Sequence, residues 1–117
     1  MKVRIRTNQL IHIIDIEGDV CLADAAQLKE LVMKMIDKKV ERLVINAAKI
    51  NSIDSSGIGA FIYISSTLKK LGLELAIANV SKALEQVMDK TRLSSYFAIY
   101  KDVNEAVQEI LNKQSIV

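Results

Sequence analysis

The 117-residue sequence has no proline and no tryptophan, one cysteine, one histidine and four glycines. Each shortage removes a class of protein. Cys21 has no second cysteine with which to form an internal disulfide. With His12 as the single histidine a zinc site lacks ligands, so no metal is expected and metal catalysis drops out. Three tyrosines and two phenylalanines are a poor base-stacking platform. The formal net charge is only +2, with lysines and acids interspersed rather than gathered into blocks, so no nucleic-acid partner is expected. No stretch approaches the roughly 20 apolar residues of a membrane span, and MKVRIRTNQ carries charges where a signal peptide has its apolar centre. The expected compartment is the cytoplasm, with no membrane partner. The lack of proline and scarcity of glycine describe short connections, and no linker, repeat or low-complexity segment is visible.

What is present is the balance of one ordinary domain over 1–117, with 50% apolar and 26% charged residues. Val3 and Ile5 alternate with Lys2, Arg4 and Arg6, as in a strand with one wet face at a sheet edge. Thr7, Asn8 and Gln9 supply a turn, and LIHIIDI (10–16) is apolar at nearly every position, as a strand covered on both faces would be. Gly18 ends it. Helical spacing follows in Leu28, Leu31, Val32, Met35 and Ile36, with Asp24 as the expected N-cap. A buried strand over 41–47, a helix running to about Leu71 with Gly72 behind it, and a strand over 73–79 come next. Ser81 caps a helix bearing Leu84, Val87 and Met88, 96–100 reads as a strand, and Asp102 caps a last helix with the stripe Val103, Ala106, Val107, Ile110 and Leu111. The fold class is α/β: a mixed, mostly parallel sheet of four to five strands with about four helices.

The polar cluster NSIDSSGIGA (51–60) sits between an apolar strand and an apolar helix. The loop from Asn46 to Gly59 therefore lies at the carboxyl end of a parallel strand, where α/β sheets host sites. Several readings compete. Asp54 or Ser55 can cap the new helix, with Gly57 and Gly59 letting another backbone come close. A phosphate cradle needs GxxxxGK[ST] or GxGxxG, and neither is present. A serine nucleophile at Ser55 would want flanking glycines where Asp54 and Ser56 stand, and a base that His12, mid-strand among isoleucines, does not supply. A hydroxyl at an exposed helix N-terminus is also a good phosphate acceptor. The phosphate charge meets the positive end of the helix dipole, worth about 0.3–1 kcal/mol, so the domain tolerates it. Buried without compensation in an interface, the same charge costs on the order of 2–5 kcal/mol. A serine here can act as a binding switch.

The run LVINAAKINSIDSSGIGAFIYISSTLKKLGLELAIANVSKALEQVMDKTRL resembles the STAS domain of bacterial anti-sigma-factor antagonists, whose acid-Ser-Ser/Thr/Ala-Gly-hydrophobic-Gly motif follows a short apolar strand. With EGDV (17–20) and FAIYKDVNEAV the resemblance covers nearly the whole chain. It implies a single STAS domain that is not an enzyme, needs no cofactor and works by partner switching. The unphosphorylated protein would bind an anti-sigma factor that is also a serine-protein kinase and so free a sigma factor. Phosphorylation would end that binding, and a PPM-type serine phosphatase would reverse it. The phosphorylated residue implied is Ser55, with Ser56 as a possible second. The partner-binding residues implied are Asp19, Cys21, Asp54, Ser55, Ser56, Gly57, Ile58, Gly59 and Tyr63, spread over the turn, the helix behind it and the loop over 19–23. One departure is Cys21, which stands where the family commonly has a second acid. The alternative is a STAS scaffold or accessory subunit of another regulatory or transport complex.

Overall fold

The computed structural model describes residues 1–115. β1 (Lys2–Asn8) and β2 (Ile11–Val20) form a hairpin. After it come α1 (Leu22–Asp37), β3 (Leu43–Ile53), α2 (Ser55–Lys70), β4 (Leu75–Ala78), α3 (Lys82–Lys90), β5 (Ala98–Tyr100) and α4 (Val103–Ser115). The alternation of strand and helix periodicities in the sequence is thus realised in the same order. Local signals account for several ends. Ser81 Oγ accepts the Leu84 N–H at 3.2 Å, Asp102 Oδ1 accepts the Glu105 N–H at 2.8 Å, and Gly72 takes φ 76° just past α2.

The sheet has the order β1-β2-β3-β4-β5, with β1 antiparallel to β2 and the rest parallel. When successive parallel strands are neighbours and the crossovers share one hand, the crossover helices fall on one face. Accordingly Leu28 and Val32 of α1, Phe61, Ile64 and Leu68 of α2, and Leu84 and Met88 of α3 share one core with Ile14, Ile16, Ile45 and Ile77. On the opposite face Ala106 and Val107 of α4 pack on Ile11, Ile13, Val44, Ala76 and Ala78. The first residues of β2 are therefore covered on both faces, which is why the sequence there is apolar without alternation.

Several boundaries differ from expectation. Gln9 and Leu10, at φ 51° and 71°, make a two-residue turn, the left-handed pair that a tight hairpin between twisted strands requires. Leu10, expected to open β2, is 85% exposed instead. β2 continues through Gly18, which takes φ 100° at a register shift against β3, and ends at Val20. β3 extends to Ile53, so the long loop expected from Asn46 to Gly59 contracts to Asp54 between strand and helix. Asp24 is not the N-cap of α1. That place belongs to Cys21, whose backbone N–H donates to Asp24 Oδ2 at 3.2 Å from the third helical residue. The last strand starts only at Ala98, because the Tyr96 N–H is held in a turn by the Leu93 carbonyl at 2.9 Å; the Tyr96 and Phe97 rings pack edge to face with centroids 4.9 Å apart.

Candidate functional site

The turn at Asp54 is held from three directions. Asp54 Oδ1 accepts the Gly57 N–H at 2.9 Å, closing the first turn of α2. The Asp54 N–H donates to the Val20 carbonyl at 3.3 Å, tying the start of α2 to the end of β2. Gly57 makes this approach possible: a Cβ there would lie 2.6 Å from both the Val20 carbonyl oxygen and Ile53 Cγ1. Gly59 was expected to serve the same purpose, yet a Cβ there would meet nothing within 4 Å. It instead leaves a notch of about 410 Å³, lined by Leu22, Ala25, Ala26 and Lys29 of α1 with Ser56 and Gly59 of α2.

Ser55 is the first residue of the 16-residue α2 and is exposed, while Ser56 is half-buried against the notch. Gly57 and Ile58, expected at a partner surface, lie inside the protein. Ile58 is 4% exposed in the main core, because helical spacing from Phe61 turns it inward. These two residues support the turn from beneath. Tyr63 is exposed two turns along α2, and the Lys29 ammonium lies 5.2 Å from its ring centroid. Leu22, at 72% exposure, stands on the α1 side. The loop expected over 19–23 is instead the end of β2, Cys21 and the first residues of α1, so Leu22 was covered only as part of that stretch, and Lys29 was not expected at the site. The available signal was that Leu22 falls off the stripe of Leu28, Val32 and Met35 at the very start of its helix.

Asp19 and Cys21 also come to this end of the sheet. Asp19 Oδ1 accepts the Ser52 hydroxyl at 2.7 Å, joining β2 to β3 beyond the reach of β4. The Cys21 thiol is free and exposed. Desolvation pushes its pKa up, and the carboxylates of Asp54, Asp19 and Asp24 push it further. The thiol therefore stays protonated at neutral pH, and the missing acid at position 21 leaves a surface whose charge comes from its neighbours. His12 pairs with Leu43 at the start of β3, whereas Ser55 follows its end, so roughly 30 Å of strand separate them. The imidazole is out of reach of the Ser55 hydroxyl. Among the described residues no cluster of three or more His, Cys, Asp or Glu could hold a metal ion, and no helix is long and apolar enough to cross a membrane.

The arrangement presents a hydroxyl at the positive end of a helix, with carboxylates beside it and an apolar notch behind. The STAS domain family matches this chain over residues 2–106. A protein from Thermotoga maritima, named as a candidate anti-sigma factor antagonist, is 24% identical over 80 residues, covering 68% of this chain and 71% of that protein. Among solved structures, RsbS from Moorella thermoacetica superposes with a TM-score of 0.82 at 19% identity, over 98% of this chain and 99% of that one. The phosphorylated form of the Bacillus cell fate determinant SpoIIAA gives a TM-score of 0.73 at 15% identity, over 93% and 99% of the two chains. At such identities the structural likeness speaks for the fold, and the family match for descent: the chain belongs to the STAS domain family.

Proposed function

We propose that this protein is an anti-sigma factor antagonist that works by partner switching, with Ser55 as its phosphorylation site. In the unphosphorylated state, Asp19, Cys21, Asp54, Ser55, Ser56, Gly59 and Tyr63, joined by Leu22 and Lys29, dock an anti-sigma factor that is also a serine-protein kinase. A sigma factor is thereby released. Transfer of a phosphoryl group to Ser55 ends the complex, and a PPM-type serine phosphatase restores it.

The observation that carries this reading is the exposure of Ser55 at the first position of α2, beside a turn made rigid by Asp54 and Gly57. The free protein accommodates a phosphate there, because the helix terminus offsets its charge by about 0.3–1 kcal/mol. In a docked interface it is buried beside the adjacent Asp54 without a compensating cation, and the cost of about 2–5 kcal/mol corresponds to roughly 30-fold to several-thousand-fold weaker binding. The names of the Thermotoga and SpoIIAA relatives support the same direction.

The test is peptide-level mass spectrometry after incubation with ATP and the candidate kinase encoded beside the gene, with Ser55→Ala as control. One phosphate on Ser55, absent in the control, is the expected result. An active kinase that binds tightly yet leaves Ser55 unmodified would overturn the switch, and the scaffold function would take its place.

A further inference from the structure

The opposite face of the sheet carries a second feature. α4 packs on β3, β4 and β5 and on Ile11 and Ile13 at the start of β2, so the part of that face formed by β1 and the later residues of β2 has no helix over it. There a trough of about 770 Å³ is lined by Lys2, Arg4, Arg6 and Lys49 against Asp15 and Glu17. Asp15 is already committed. It takes two bonds from Arg6, at 2.8 and 3.1 Å, and one from Asn46 Nδ2 at 2.8 Å. Among the described residues Lys2, Arg4 and Lys49 have no carboxylate at ion-pair distance. The trough thus presents three unpaired cations to one remaining acid, Glu17.

β1 is also the outer strand of the sheet, paired on one side with β2. Its alternation sets Lys2, Arg4 and Arg6 at every second residue on the trough face, while Ile5 on the other face is 42% exposed. Two copies of this chain paired through β1 about a two-fold axis would place cation opposite cation, which is repulsive. An antiparallel strand with acids at alternate positions and aliphatic residues between them would instead meet the unpaired Lys2 and Arg4, run on past the Arg6 and Asp15 pair, and cover Ile5. We propose that the free edge of β1 receives an extended segment of a partner protein in which acidic and aliphatic residues alternate. The segment adds a sixth strand to the sheet, with backbone hydrogen bonds supplying affinity and the cationic row fixing register. This surface is separate from the Ser55 turn and operates whether or not Ser55 is modified.

Fluorescence anisotropy with a labelled peptide of about nine residues, alternating Glu and Val, tests this against a peptide of equal composition with its acids in one block. The alternating peptide is expected to bind about tenfold more tightly, to weaken about tenfold in the Lys2→Glu/Arg4→Glu double variant, and to slow hydrogen exchange at the amides of β1 in the wild type. Equal binding of both peptides would overturn the proposal by reducing the face to a nonspecific cation patch. No binding at about 1 mM peptide would overturn it outright. Protection of the β1 amides without peptide, together with a doubled solution mass, would assign the edge to a second copy and also overturn it. The exchange measurement uses the wild-type chain and decides the matter even if the double variant folds poorly.

Discussion

Replacing Gly57 by alanine should be costly, and replacing Gly59 should not, although the two glycines are one residue apart in the same helix. At Gly57 the added methyl would sit 2.6 Å from the Val20 carbonyl oxygen and from Ile53 Cγ1. The carbonyl belongs to backbone that also accepts the Asp54 N–H, so it cannot turn aside as a side chain can. Overpacking of this kind costs about 1–3 kcal/mol, against which the better helix propensity of alanine returns up to about 1 kcal/mol. A net loss of about 1–2 kcal/mol lowers Tm by roughly 3–10 °C in a domain of this size. At Gly59 no atom lies within 4 Å of the new methyl, so the propensity gain stands alone and Tm should rise by a few degrees. Calorimetry on the two variants separates these outcomes. Equal Tm values for Gly57→Ala and Gly59→Ala would refute the claim that close packing of α2 on β2 positions the Ser55 turn.

Three further expectations follow from the same geometry. Asp54→Ala removes the cap on Gly57 and should cost about 1 kcal/mol in urea denaturation, whereas Asp54→Asn should retain most of it. Burial of Asp15 favours its neutral form, but the bonds from Arg6 and Asn46 outweigh this and hold its carboxyl below the usual range. A carboxyl so depressed adds stability that is present above its unfolded pKa, near 3.9, and is lost as pH falls through its lower folded value. The stability gap between wild type and Arg6→Gln should therefore narrow on acidification from about pH 5 towards pH 3, as followed by denaturation at each pH. Finally, the Cys21 thiol should react with an alkylating reagent at pH 8 more slowly than a model thiol despite its exposure, and Asp19→Asn/Asp24→Asn should speed it.

The parts of this molecule that were legible in the sequence are those fixed by neighbours along the chain. Asp102 and Ser81 precede amphipathic stripes, so their caps followed from spacing, and the apolar run that opens β2 announced residues covered on both faces. The turn at Asp54, Ser55 and Ser56 was readable for the same reason. What was not legible depends on contacts between distant segments. Gly57 and Gly59 are the same residue type in one motif, and the difference between them is made by Val20 at the end of β2. β3 runs on through Asn51 and Ser52 because the bulged end of β2 pairs with it, with the Asp19 and Ser52 bond across the pair, and polar residues gave no hint of a strand there. Ile58 looked like part of an exposed motif until the rotation of α2, set by Phe61 and Ile64 in the core, turned it inward.

The most direct measurement is a calorimetric titration of the proposed partner, a candidate anti-sigma factor kinase encoded beside the gene, with the unmodified protein and with the protein phosphorylated on Ser55, at one salt concentration. Binding should be weakened at least about 30-fold by the phosphate while both forms keep the same circular dichroism and a Tm within a few degrees. Equal affinities for the two forms would contradict the switch at Ser55, and a large loss of Tm on phosphorylation would show that the modification acts by unfolding α2 rather than at an interface.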